Sequence, residues 1–129
     1  MNIAVILAGG SGTRLGNDIP KQFLKVAGKK VLEHTIEVFE NAKNIDEICI
    51  VSRIDCINDV ESIVVNNGYL KVKKILAGGK ERYDSSLAAI HAYPDGNHNL
   101  LFHVKICYIQ MLIMRWNKVL FFVLSYDKI

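Results

Sequence analysis

The chain opens with a continuous apolar run, Ile3 to Leu7, that ends in Ala8-Gly9-Gly10-Ser11-Gly12. An unbroken run of this length, closed by glycine, predicts a strand buried on both faces, as in a parallel sheet. From Val31 to Ala42 the pattern changes to a helical period, carried by Val31, Leu32, Ile36, Val38, Phe39 and Ala42, and Asn44 stops it before a second strand, Glu47 to Val51. Ile57, Val60, Ile63 and Val64 mark a second helix closed by Asn67-Gly68, and Val72 to Leu76 reads as a third strand. After Ala77-Gly78-Gly79, the residues Tyr83 to Tyr93 predict a third helix through Leu87, Ala88, Ile90 and Ala92. The turn residues Pro94-Asp95-Gly96 then lead to a fourth strand, Asn99 to His103. The order βαβαβαβ predicts an α/β fold, a doubly wound and mostly parallel sheet with its ligand crevice at the carboxyl ends of the strands. Both glycine loops, 8–16 and 77–80, fall on that edge.

Composition narrows the class. The 129 residues suffice for one domain; half are hydrophobic and 22% charged, which excludes disordered, collagen-like and coiled-coil proteins. Three cysteines, Cys49, Cys56 and Cys107, with no C-x-x-C pair, indicate neither a disulfide framework nor a four-ligand zinc site. With no signal-peptide pattern at Met1-Asn2-Ile3-Ala4, the expected location is cytoplasmic.

Charge divides the chain at His103. Residues 1–103 carry 12 basic and 12 acidic side chains, whereas residues 104–129 carry Lys105, Arg115, Lys118 and Lys128 against Asp127, so the net +3 lies in the tail. Interleaved acids and bases before that point argue against a nucleic-acid partner. In the tail 18 of 26 residues are apolar. A membrane span is not expected there, because Gln110, Arg115, Asn117 and Lys118 interrupt it and each central charge costs about 2.5–3.5 kcal/mol on insertion. Val119 to Leu124, without charge or proline, reads instead as an interfacial or aggregation-prone run.

The first loop carries the candidate chemistry. Ala8, Gly9, Gly10, Ser11 and Gly12 present backbone N–H groups with little side-chain obstruction, which suits close approach of a phosphate chain. Glycines 10, 12 and 16 miss the dinucleotide G-x-G-x-x-G spacing by one residue, and no G-K-[ST] follows as in a P-loop. The loop adds Arg14 and, in Pro20-Lys21-Gln22-Phe23, Lys21. Two cations beside backbone amides fit a triphosphate undergoing substitution, where negative charge must be stabilised. Other polar residues have plainer explanations: His34 as a packed or capping residue, His91 and His98 at the surface, Glu33, Glu37 and Glu40 on a solvated helix face, and Cys49 on the strand's core side.

Leu7 to Gly16, then Pro20-Lys21-Gln22-Phe23, Leu32-Glu33-His34-Thr35, and Gly78-Gly79-Lys80-Glu81-Arg82 with Ser85, together resemble the polyol-phosphate cytidylyltransferases, which act on 2-C-methyl-D-erythritol 4-phosphate or ribitol 5-phosphate. The resemblance implies a Rossmann-like fold of the nucleotidyltransferase type and transfer of CMP from CTP to a polyol phosphate with release of pyrophosphate. It places CTP along Ala8, Gly9, Gly10, Ser11 and Gly12, with Arg14 and Lys21 as the catalytic cations on its phosphates. It also implies that Gly79 and Ser85 contact the cytosine and that Arg82 helps hold the second loop. Sugar-1-phosphate nucleotidyltransferases space the lysine differently, and they remain the enzymatic alternative; a non-catalytic nucleotide-binding fragment is the other.

The resemblance covers residues 1–103 and then breaks. The family implies Mg2+ held by an Asp directly after the fourth strand, but Val104 follows His103 here, so no metal ligand is assigned. The acceptor-binding half and the homodimer arm of the family have no counterpart in 104–129. The expected organisation is therefore a truncated nucleotide-binding part, 1–103, followed by a non-family tail of the kind that out-of-frame translation produces, with catalysis impaired.

Overall fold

A computed structural model describes residues 1–9, 19–94 and 96–103. The tail expected over 104–129 lies outside the described residues, as does Asp95. Strand β1 (Asn2–Ala8) is buried from Ile3 onward, in keeping with its uninterrupted apolar run. It is followed by a short 3-10 turn at Lys21–Phe23 and a small antiparallel pair, β2 (Lys25–Val26) and β3 (Lys29–Lys30). Helix α1 (Val31–Glu40), β4 (Glu47–Ser52), α2 (Ile57–Asn67), β5 (Val72–Ala77), α3 (Arg82–Ala92) and β6 (Asn99–His103) then alternate. Each strand and helix expected from the apolar pattern is present, with α1 ending two residues before Ala42. Gly68, at φ 64°, caps α2 in the left-handed conformation, the reason a glycine follows Asn67.

The four-stranded sheet has the order β5-β4-β1-β6, all parallel. The chain moves outward from β1 to β4 and β5, then returns to place β6 on the other side of β1. The reversal makes a topological switch point between the carboxyl ends of β1 and β6, the place where open α/β sheets bind ligands. Helices α1 and α2 cover one face through Leu32, Ile36, Phe39, Val60 and Ile63, packed on Ala4, Ile6, Ile48 and Ile50. Helix α3 lies on the other face, where Ala89 meets Ile3, Val5, Cys49 and Val51. The sheet is thus doubly wound.

The β2–β3 pair was absent from the expected elements. Strands of two residues are too short to show alternation, and the turn is Ala27-Gly28 in place of the Asn-Gly that announces a tight hairpin. Both turn residues have positive φ, 51° at Ala27 and 82° at Gly28. The hairpin is fastened to α1 by His34, whose Nε2 lies 2.6 Å from the carbonyl of Val26. His34 is therefore a packed, bonded histidine, as expected.

The three helix glutamates correct the expectation of a merely solvated face. Glu33 accepts from the Lys30 amide at 3.1 Å, Glu37 from Lys29 Nζ at 2.8 Å and Tyr69 Oη at 2.9 Å, and Glu40 from the Leu70 amide at 2.8 Å. Helical spacing alone shows which residues share a face; Glu33 caps its own helix, whereas Tyr69 and Leu70 come from a distant segment. Among the described residues no helix is long and apolar enough to cross a membrane.

Candidate nucleotide site

Three described strands end together at the carboxyl edge: Ala8 of β1 stands opposite Ser52 of β4, and Ser52 opposite Ala77 of β5. Past these residues the chain turns into the two glycine loops. The second loop bends back at once, with the Gly78 amide donating to the Ser52 carbonyl at 2.7 Å. A Cβ built on Gly78 would collide with Ser85 Oγ and lie 3.2 Å from Val51 Cγ1, so any side chain there would have to displace the Ser85 hydroxyl. Gly79 is similarly crowded, because a Cβ there would run into Asp84.

Asp84 has a structural task. Its Oδ2 accepts from the Glu81 amide at 2.9 Å, and it forms a reciprocal capping pair with Glu81 at the start of α3. The cap fixes the first turn of the helix, which carries Arg82 on its exposed side and Ser85 on its buried side. Ser85 also faces the first loop, since a Cβ on Gly9 would lie 3.8 Å from its Oγ. One hydroxyl thus sits between the two glycine loops.

Lys21 reaches the same edge by another route. It begins the 3-10 turn and is exposed, while the next residue, Gln22, is buried and donates from Nε2 to the Ala8 carbonyl at 2.8 Å. The structure therefore brings together Ala8, Gly9, Gly78, Gly79 and Ser85, and ties the Lys21 turn to Ala8. Gly10, Ser11, Gly12 and Arg14 lie outside the described residues. Sequence reasoning singled out neither Gln22 nor Gly78 as a site residue. The signal for Gln22 was its place in Pro20-Lys21-Gln22-Phe23, but a glutamine in a polar turn gives no hint of burial.

His103, at the end of β6, is buried edge-on to Phe39 with ring centroids 5.7 Å apart. Among the described residues no three His, Cys, Asp or Glu side chains stand together as a metal cage. The described donors at this edge, hydroxyls and the two capping carboxylates of Glu81 and Asp84, each already bonded to a backbone amide, do not by themselves fit a resident cation. Away from the edge, burial raises the Cys49 thiol to about 11, so it is a packed core residue as expected, and burial likewise raises that of Cys56. Neither has the character of a nucleophile.

Comparison with known proteins gives one family over most of the chain. The family profile described as 2-C-methyl-D-erythritol 4-phosphate cytidylyltransferase matches residues 2–108. A Haemophilus influenzae protein, "Bifunctional ribulose 5-phosphate reductase/CDP-ribitol pyrophosphorylase Bcs1", is 51% identical over 98 residues, which are 76% of this chain and 21% of that protein. The 2-C-methyl-D-erythritol 4-phosphate cytidylyltransferase of Lachnospira eligens is 40% identical over 90 residues, 70% of this chain and 40% of the relative. Among solved structures, 4-diphosphocytidyl-2C-methyl-D-erythritolsynthase from Anaerococcus prevotii superposes with a TM-score of 0.63 at 28% identity, covering 80% of this chain and 42% of that one. The chain spans less than half the length of the relatives it matches.

Proposed function

Since the chain belongs to the 2-C-methyl-D-erythritol 4-phosphate cytidylyltransferase family, we propose that residues 1–103 form the CTP-binding part of an enzyme that transfers CMP to a polyol phosphate. The observation that carries this reading is the convergence of Gly9, Gly78 and Ser85 at the switch-point edge of the sheet. The buried Ser85 hydroxyl supplies a polar group beside both Gly9 and Gly78, where the first loop, rich in backbone amides by its sequence, departs from β1.

In the proposed reaction a phosphate oxygen of the polyol phosphate attacks the α-phosphorus of CTP in line. The bond from that phosphorus to the α,β-bridging oxygen breaks, and pyrophosphate leaves with the electron pair. Loop amides at Ala8 to Gly12, with Arg14 and Lys21, offset the charge that develops on the phosphate oxygens. Gly79 and Ser85 are assigned to the cytosine and Arg82 to the second loop. Family members generally use a divalent metal, and Mg2+ is the expected ion. No step proposed here passes through it, since the described residues build no cage and Val104 occupies the position after His103.

The acceptor proposed is ribitol 5-phosphate, favoured by the 51% identity to a protein named for CDP-ribitol over the 40% identity to one named for methylerythritol phosphate. The buried free thiols Cys49 and Cys56 suit a reducing cytoplasm. We assign residues 104–129 to a segment apart from the nucleotide-binding part. With Val104 where the family resemblance implies a metal carboxylate, the 129-residue chain is expected to bind CTP weakly and to turn over little. Titration with CTP, UTP, GTP and dTTP tests the base, and equal affinity for all four would sink the cytidine assignment. Pyrophosphate release with CTP, Mg2+ and each polyol phosphate tests the chemistry; a rate near that of an intact relative would overturn the expected impairment.

A further inference from the structure

We infer that Gln22 is a positioning residue for Lys21, fastening the turn that carries the lysine to the last carbonyl of β1 and so fixing the point beside Ala8 from which the lysine stem starts. The inference rests on the reading of this edge as a triphosphate site. Its basis is a contrast within three residues. Lys21 is exposed and Ile19 is 54% exposed, yet Gln22 between Lys21 and Phe23 is only 3% exposed. A primary amide so far from water must be hydrogen-bonded to be tolerated. Its Nε2 donates to the Ala8 carbonyl at 2.8 Å, across 14 residues of sequence.

The other backbone bonds of the turn are local: Phe23 N to the Pro20 carbonyl at 2.9 Å and Leu24 N to the Lys21 carbonyl at 3.2 Å. They shape the turn without locating it. Phe23 packs on the core and holds the turn down, but an apolar contact is not directional. Among the described residues, the Gln22 amide is the polar tie between this turn and the strand from which the glycine loop departs. Ala8 is itself fixed by its place in the sheet, opposite Ser52. The path from sheet to cation therefore runs through the Ala8 carbonyl, the Gln22 amide and the backbone of Lys21. A flexible lysine is a poor electrostatic catalyst unless its stem starts from a fixed point, because misplacement by about 1 Å is costly at a reacting centre.

The chemistry demands a donor at this position. Methionine matches the length of glutamine and donates nothing; glutamate would set a carboxylate oxygen against a carbonyl oxygen. The test uses the full 129-residue chain as parent, Gln22→Met, Gln22→Glu, Lys21→Ala and the Lys21→Ala, Gln22→Met double variant, with two independent readouts. The first needs no ligand: the rate of tryptic cleavage after Lys21, followed by mass spectrometry against cleavage after Lys73 in β5. Release of the turn is expected to speed the Lys21 cut about fivefold or more in Gln22→Met and Gln22→Glu while the Lys73 cut is unchanged, since local opening is separable from global unfolding. Equal acceleration at both sites, or at neither, would overturn the fastening role.

The second readout is CTP affinity. Gln22→Met is expected to weaken binding about tenfold in the parent and to add less than about twofold once Lys21 is alanine, the non-additivity of residues that act through one another. Losses that multiply fully across the two sites would overturn the link to Lys21. A parent chain that binds no CTP at all would overturn the nucleotide reading itself, and the cleavage ratio would still judge whether Gln22 holds the turn.

Discussion

The two faces of the sheet are built to different specifications. On the face of α1 and α2, Leu32, Ile36, Phe39 and Val60 are all but fully buried, and the rim is laced by Glu37, Tyr69, Lys29 and Glu40. On the opposite face α3 buries only Ser85 and Ala89, while Tyr83 is 70% and Ile90 46% exposed. Ala89 packs on Ile3, Val5, Cys49 and Val51, and a polar tie is added at the helix end by Lys74 Nζ, 2.5 Å from the Ala92 carbonyl and 4.2 Å above the Tyr93 ring. The Tyr93 hydroxyl reaches toward Glu47 at 3.5 Å. Stability therefore resides mainly on one face, whereas the helix that brings Ser85 to the site is docked on the other with small residues. Small residues permit the close approach that Gly78 requires, and they contribute little apolar burial.

Substitutions that separate the two faces test this contrast. The largest effect is expected at Phe39, where Phe39→Ala empties the centre of the first face and should cost about 3–5 kcal/mol in urea unfolding; a loss under 1 kcal/mol would show that this face is not the stability centre. Next, Gly78→Ala sets a methyl group against Ser85, and overpacking of this kind costs about 1–3 kcal/mol. Its CTP affinity should fall more than its stability, with the double variant Gly78→Ala, Ser85→Ala recovering stability because the obstructing hydroxyl is gone.

A smaller loss, about 1–2 kcal/mol, is expected for Lys74→Met, which keeps the apolar stem but removes the bond to Ala92 and the cation over Tyr93. Hydrogen exchange should show the opening confined to α3, and uniform loss of protection would refute the separate docking. The smallest effect belongs to Glu37. Burial acts to raise its pKa, but the hydrogen bonds from Lys29 and Tyr69 and the Lys29 charge outweigh it and hold the carboxyl below its ordinary 4.5. A depressed carboxyl stabilises the fold above its unfolded value, and that contribution is lost as pH falls below about 4.5 through the folded value. Glu37→Gln should therefore cost about 0.5 kcal/mol near pH 7, and the gap to the parent should close at acid pH.

The apolar face was also the more legible one. The period of Leu32, Ile36 and Phe39, and the run Ile3 to Leu7 that packs on both faces, follow directly from burial, so the strands, helices and winding could be read without a structure. Ala8, Gly9 and the 77–80 loop could be placed on the carboxyl edge because the alternation of strands and helices implies a parallel sheet. What escaped depended on polar side chains finding distant partners: Gln22 with Ala8, Glu40 with Leu70, Tyr69 with Glu37. A hydrogen bond leaves no periodic trace in the sequence. The crowding of Gly78 was hidden for a related reason, since it arises from Ser85 on the following helix.

The strand order also bears on how the chain is made. Strand β1 is made before the other strands of its sheet and sits inside it, yet one of its two neighbours, β6, is synthesised last among the described elements. Asn2 and Asn99 meet at 2.9 Å through their side chains, and the Asn99 amide donates to the Met1 carbonyl at 2.9 Å. Until residue 103 has emerged, β1 can pair with β4 but keeps an open edge of Ile3, Ala4, Val5 and Ile6, the kind of edge that invites pairing with another nascent chain. The same interior placement that brings Ala8 and Gly9 to the carboxyl edge leaves β1 with one unpaired side until the last described strand is made.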